Sequence, residues 1–170
     1  MVFEKRKLLL RDFTSITELP NDPAIYVLIA GSGNRQFAAY VGISRHLRTR
    51  ARQHFISRDS SVTVVTAPIR LNPDSISELR WWEAIEFSTT SVLEAAEQIA
   101  FGVFDPSLRS RGSHSAESKS RLSDTQFRER VEKLLDGPPG GVVRFPTLSD
   151  TRNELAALKE EIQDLRRQVD

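Results

Sequence analysis

Apolar residues along this chain arrive in two rhythms. Dense short runs at 24–30 ("AIYVLIA") and 37–42 ("FAAYVG") read as strands, and the "GSGN" between them suits a hairpin loop. Two later runs, "SVTVVTAPIRL" and "LRWWEAIEF", have the same β-branched and aromatic character and are expected as further strands. Elsewhere the spacing is helical. A helix is predicted from Ser44 to about Phe55 with Ser44 as its N-cap, and another over "STTSVLEAAEQIAFGVF", opened by Ser/Thr and stopped at Asp105-Pro106. A short helix, "DTQFRERVEKLLDG", is ended by "GPPGG", and "TRNELAALKEEIQDLRRQVD" is a last one. Residues 1–22 read as a lead-in closed by the turn signal "LPNDP", and "SRGSHSAESKSRLS" as a linker. Strands and helices interleave around an antiparallel hairpin, so the fold class is α+β. The expected organisation is a core domain over 1–110, a linker and short helix over 111–147, and a C-terminal helix over 148–170.

The helical segments carry misplaced polar residues. On a wheel of about 100° per residue, Ile43, Leu47 and Ala51 share one side with Phe55 at its edge, while Arg45, Arg48 and Arg52 lie opposite. Arg50 and His54 fall in the apolar arc, flanking Leu47. An arginine turned toward a core loses hydration and needs either an ion-pair partner or a task. The helix near 90–104 repeats the anomaly: Glu97 projects inside a broad apolar face between Phe101 and Phe104. It lies too far from the N-terminus to act as a cap, whereas Glu94 could close a capping box with Ser91.

Composition adds little until it is read locally. Net charge is only +1, yet the segment from Arg35 to Arg58 holds Arg35, Arg45, Arg48, Arg50, Arg52 and Arg58 and no acid. Such a patch suits phosphate as well as it suits a solvated helix face. Both tyrosines of the chain, Tyr26 and Tyr40, stand on the two hairpin strands just before most of these arginines. Cysteine is absent, which excludes disulfides and thiolate chemistry. No apolar run reaches the roughly 18 residues needed to span a bilayer, so no membrane association is expected and the chain reads as cytoplasmic. "GSG" is not followed by the Gly-Lys-Ser/Thr of a phosphate loop. Together, two tyrosines, an Arg, a His and a Glu supply a proton donor or acceptor, a cation for phosphate and a carboxylate for a metal.

These residues resemble the GIY-YIG nuclease superfamily. Its first signature appears as "AIY" (Ala24-Ile25-Tyr26) and its second as "YVG" (Tyr40-Val41-Gly42), followed ten residues after Tyr40 by Arg50 and four later by His54. Glu97 lies nine residues before Pro106, the family's spacing for its metal-binding Glu. The resemblance covers about residues 22–109. It implies a small, mainly antiparallel central sheet flanked by helices, and a DNA endonuclease that hydrolyses phosphodiesters with Mg²⁺ or Mn²⁺. In that reading Tyr26 is the general base or positions the attacking water, with Tyr40 beside it. Arg50 neutralises charge on the phosphate, His54 hydrogen-bonds a phosphate oxygen or a tyrosine, and Glu97 holds the metal. Arg45, Arg48 and Arg52 would track the DNA backbone. Arg109 stands where the family usually has an asparagine, and could bind phosphate together with Arg111. That departure allows an alternative, a catalytically weak nucleic-acid-binding module of the same fold; a coiled-coil interaction scaffold is the other.

The tail supports a partner of a different kind. Leu155, Leu158, Ile162, Leu165 and Val169 follow the 3–4 spacing of a coiled coil, with Glu154 and Glu161 at g and Lys159 and Arg166 at e. A parallel homodimer is the expected outcome, and packing of the stripe on its own domain is the alternative.

Overall fold

A computed structural model of the chain describes residues 11–13, 15–31, 33–58, 71–109, 114–146 and 148–169. Five strands form one sheet: β1 (Arg11–Phe13), β2 (Ala24–Ala30), β3 (Phe37–Ser44), β4 (Ile76–Glu83) and β5 (Gly141–Arg144), in the order β1-β5-β4-β2-β3. All neighbours are antiparallel except β1 and β5. The helices are α1 (Leu47–Arg52), α2 (Thr90–Phe104), α3 (Ala116–Leu122), α4 (Thr125–Asp136) and α5 (Leu148–Val169). The class is α+β, as the antiparallel hairpin implied. Among the described residues no helix is long and apolar enough to cross a membrane.

β2 explains the architecture. Every residue of "AIYVLIA" is buried, because the strand has a neighbour on each side and helices over both faces. Ile25, Val27 and Ile29 point to one face, where α2 and α4 supply Leu93, Ala96, Ala100, Phe127 and Val131. Tyr26 and Leu28 point to the other, against Leu47 and Ala51 of α1 and Trp81 of β4. The sheet therefore has two cores, and the tyrosine lies in the α1-side core.

β3 pairs with β2 so that Tyr26 is opposite Gly42 and Leu28 opposite Tyr40. A register shift after Leu28 leaves Ala39 as an extra residue, and Tyr40 remains on the tyrosine face. The outer edge of β3 is also occupied: after α2 the chain turns at Asp105, in the left-handed region at φ 42°, and runs beside it. Ser107 and Leu108 donate backbone N–H to the carbonyls of Ala38 and Ala39.

Several expectations need correction. Ser44 does not cap a helix: its backbone is the last of β3, paired with Ala24, and its Oγ accepts from His46 N–H. The helix begins at Leu47 and after Arg52 widens into a π-helical turn, Gln53–Ser57. Ile43 consequently belongs to the strand, and packs toward the α2-side core. Glu94 forms no capping box with Ser91. Thr89 accepts from Val92 N–H instead, and Glu94 accepts from both N–H and Oγ of Ser115, tying down the start of α3. The strand expected over "LRWWEAIEF" starts earlier, at Ile76, and stops at Glu83, where a turn takes over. The strand expected over "SVTVVTAPIRL" lies outside the described residues except for Leu71, which is not in a strand.

Residues 114–146 pack as part of the same sheet and helix layers. α3 forms where a linker was expected, α4 buries Phe127, Val131, Leu134 and Leu135, and β5 pairs along β4 from Glu78↔Arg144 to Trp81↔Gly141. β1, inside the expected lead-in, closes the far side against β5. Of these, α3, β5 and β1 are too short to stand alone. They form because α2 and β4 offer apolar surface and unpaired backbone that water would otherwise contact.

Candidate active site

Three elements meet at one end of the hairpin's tyrosine face, and a fourth, α2, packs on the opposite face with Glu97 near enough for its charge to reach Tyr40. β2 supplies Tyr26, β3 supplies Tyr40, α1 and the π turn supply Arg50 and His54, and α2 supplies Glu97. Three rings form a triangle, with centroids 6.0 Å apart for Tyr26 and Tyr40 and 5.7 Å from His54 to each tyrosine. Tyr26 Oη and His54 Nε2 are hydrogen-bonded at 2.7 Å. Of the two partners expected for His54, the protein has the tyrosine.

The rings approach closely because Gly42 has no side chain. A Cβ there would come within 2.7 Å of Tyr26 Oη and 2.7 Å of Tyr40 Cε1. A glycine in a strand interior signals such an approach, and it was legible in "YVG" although no role was drawn from it. A second overlooked residue is Gln53, whose Oε1 accepts from Arg50 Nη1 at 3.1 Å. Its position three residues after an inward-facing arginine, on the same helix, was the available signal. The π turn presents His54, completely buried, to the tyrosines; wide turns of this kind recur at functional sites.

Protonation states follow from burial and charge. Burial raises the Tyr26 phenol well above its ordinary value and the neighbouring Tyr40 raises it further, against the opposing pull of Arg50. Tyr40 is raised by burial and then by the negative charge of Glu97, again opposed by Arg50. Both are neutral phenols at neutral pH. For Arg50, burial works against the charge, but Tyr26 and Tyr40 outweigh it and its pKa rises. His54 is lowered to about 3, first by burial and then by the Arg50 charge, so its imidazole is neutral. Tyr26 Oη and a neutral His54 Nε2 share one proton-bearing bond whose direction follows the imidazole tautomer.

His54 therefore makes stability depend on pH. Its folded pKa, about 3, lies below the ordinary 6.5, so the unfolded chain binds the extra proton more readily between those values. Its contribution is fully present above pH 6.5 and is lost as pH falls toward 3, on the order of 5 kcal/mol in total. The thermal midpoint of wild-type protein is expected to fall more steeply from pH 7 to pH 4 than that of His54→Gln. Parallel curves would show that the ring is not held neutral.

Glu97 is 5% exposed and near enough for its charge to act on Tyr40. It is the carboxylate of the cluster. Among the described residues no group of three or more His, Cys, Asp or Glu side chains could hold a metal alone. A hard cation such as Mg²⁺ fits this donor set only with water and substrate oxygens completing its shell.

The other candidates are placed less uniformly. Arg45 and Arg52 are exposed. Arg48 is exposed too, but its Nε donates to the carbonyl of Leu19 at 2.6 Å and anchors α1 to the chain before β2. Arg109 pairs with Asp105 at 3.0 Å and stacks over Phe101, 5.7 Å from the ring centroid, outside the ring cluster. Arg111 lies outside the described residues. Compared with models of protein families, with curated proteins and with solved structures, the chain matches none of them.

Proposed function

We propose that this chain is a metal-dependent DNA endonuclease of the GIY-YIG type, hydrolysing phosphodiester bonds through Tyr26, Tyr40, Arg50, His54 and Glu97. The observation that carries the reading is the buried Tyr26–Tyr40–His54 triangle with Arg50 acting on both phenols, and with the charge of Glu97 reaching Tyr40 from α2. Two neutral phenols, a neutral imidazole, a half-buried guanidinium and a buried carboxylate share one neighbourhood. A structural ion pair would need only Arg50 and one acid, and would leave the Tyr26–His54 bond without purpose.

Each residue then has a task its environment suits. Glu97 would hold Mg²⁺ or Mn²⁺, which when bound would polarise the scissile phosphate and offset its growing charge. Arg50, steadied by Gln53, would present its planar donors to phosphate oxygens. Tyr26 would accept the proton of the attacking water while passing its own to His54 Nε2, along the 2.7 Å bond already present. In the free protein this transfer is unfavourable, because burial first and the Arg50 charge second depress His54. A phosphodiester anion beside Arg50 would offset that charge and raise the proton affinity of the imidazole. Tyr40 would hold the second side of the water or phosphate. Arg45 and Arg52 would follow the backbone without reading sequence.

The test is supercoiled plasmid with the purified full chain, in Mg²⁺ or Mn²⁺ and in EDTA. Nicking or linearisation with metal, abolished by EDTA, is the expected result. A second reading, a binding module with little activity, is favoured by Arg109, which is engaged with Asp105 and Phe101 where the family usually has an asparagine. DNA binding that weakens steeply with salt, without cleavage in either metal, would select it. Neither binding nor cleavage would leave the scaffold reading.

A further inference from the structure

α5 leaves the domain with its apolar seam uncovered. From Asp150 to Arg167 every side chain is exposed, including Leu155 at 52%, Leu158 at 54%, Ile162 at 50% and Leu165 at 54%. Single exposed leucines need no explanation, but a continuous stripe along one helix face does. The alternative of packing on its own domain is not what the helix does.

The repeat is longer than the stripe alone suggests. Counted from Leu148, position a holds Leu148, Leu155, Ile162 and Val169, and position d holds Thr151, Leu158 and Leu165. Position e is basic throughout, at Arg152, Lys159 and Arg166; position g holds Glu154, Glu161 and the neutral Gln168. We propose that α5 is the strand of a parallel, two-stranded coiled coil, and that its partner is a second copy of this chain.

Charge selects the orientation. Side by side and parallel, Glu154 meets Lys159 of the partner subunit and Glu161 meets Arg166 of the partner subunit. Antiparallel pairing sets g against g and e against e, acid facing acid and base facing base. Ile162 and Val169 at a, with Leu158 and Leu165 at d, favour two strands over three. Parallel pairing also puts both N-terminal ends of α5 together, and β5 ends only three residues earlier, before Phe145-Pro146-Thr147. Both sheet domains thus leave from the same end of the coil. In so far as it rests on the nuclease reading, this assembly brings two sites to one duplex, one for each strand.

The seam is tested without DNA. The chain has no cysteine, so Leu165→Cys introduces a single reporter into the full chain. Light scattering is expected to give a dimer for wild type, and mild oxidation to link nearly all Leu165→Cys protein into covalent pairs. Antiparallel helices would hold the two cysteines about 20 Å apart along the axis, and a dimer that fails to cross-link overturns the orientation. Ile162→Glu is expected to weaken dimerisation at least about a hundredfold, since it buries an unpaired charge. Charge reversal separates seam from misfolding: Glu154→Lys/Glu161→Lys and Lys159→Glu/Arg166→Glu should each be monomeric alone and dimeric when mixed. A monomeric wild type, or a mixture that stays monomeric, overturns the proposal. A dimer that cleaves no plasmid overturns only the nuclease reading.

Discussion

Arg50→Ala is expected to lower metal-dependent cleavage by about 10² to 10³-fold, the effect of removing one preorganised donor from a developing oxyanion. Arg50 is half-buried, faces both phenols and is held by Gln53, so no neighbouring side chain can take its place. Arg50→Lys should not restore the rate, because a point charge cannot reproduce the fork. The same substitution has a readout separate from activity. Arg50 is one of the two causes depressing His54, so in Arg50→Ala the imidazole should titrate at higher pH, measurable by NMR. Glu97→Gln should lose cleavage comparably while leaving the His54 titration where it is. Wild-type cleavage by Arg50→Ala protein would remove the central cation from the mechanism.

Gly42→Ala is expected to be far more damaging than the size of one methyl group suggests. The new carbon would lie 2.7 Å from both Tyr26 Oη and Tyr40 Cε1, and 2.8 Å from Tyr26 Cζ. Neither ring can retreat freely, since both are buried among packed neighbours. Overpacking of this kind costs about 1–3 kcal/mol, readable as a lower urea midpoint. Any shift of Tyr26 that relieves it stretches the bond to His54, so cleavage should fall with stability. Tyr26→Phe in the Gly42→Ala background removes one of the close atoms and should recover part of the stability but none of the activity. Unchanged stability of Gly42→Ala would mean that the two rings are loosely held.

Much of this site was legible before the fold, and for a definite reason. Arg50, His54 and Glu97 are polar residues on apolar helix faces, and a wheel detects such misplacement wherever the period holds. Tyr26 and Tyr40 were legible from the hairpin, whose strands and loop are all local in sequence. What escaped depends on distant partners or on departures from the period. α3 is short and rich in Ser and charge, and it forms because Glu94 and α2 receive it. β5 is four residues whose identity as a strand comes from the free side of β4. The π turn breaks the 3.6 period just where His54 sits, so the wheel gave the right face with the wrong local geometry. The N-terminal limit of α1 failed because Ser44 has both strand backbone and a capping side chain, and the pairing with Ala24 prevails.

The borders of the sheet have a consequence for how copies of this molecule can meet. On one side β3 is lined by Ser107 and Leu108, which take up its outward carbonyls at Ala38 and Ala39. On the other, the described part of β1 is three residues, Arg11–Phe13. The stretch of β3 that Ser107 and Leu108 cover is closed to a stranger's backbone, the addition by which open sheets polymerise into insoluble material. Loosening the Asp105-Pro106 turn would expose the border of β3, and such a variant should precipitate on storage while its freshly purified form still folds.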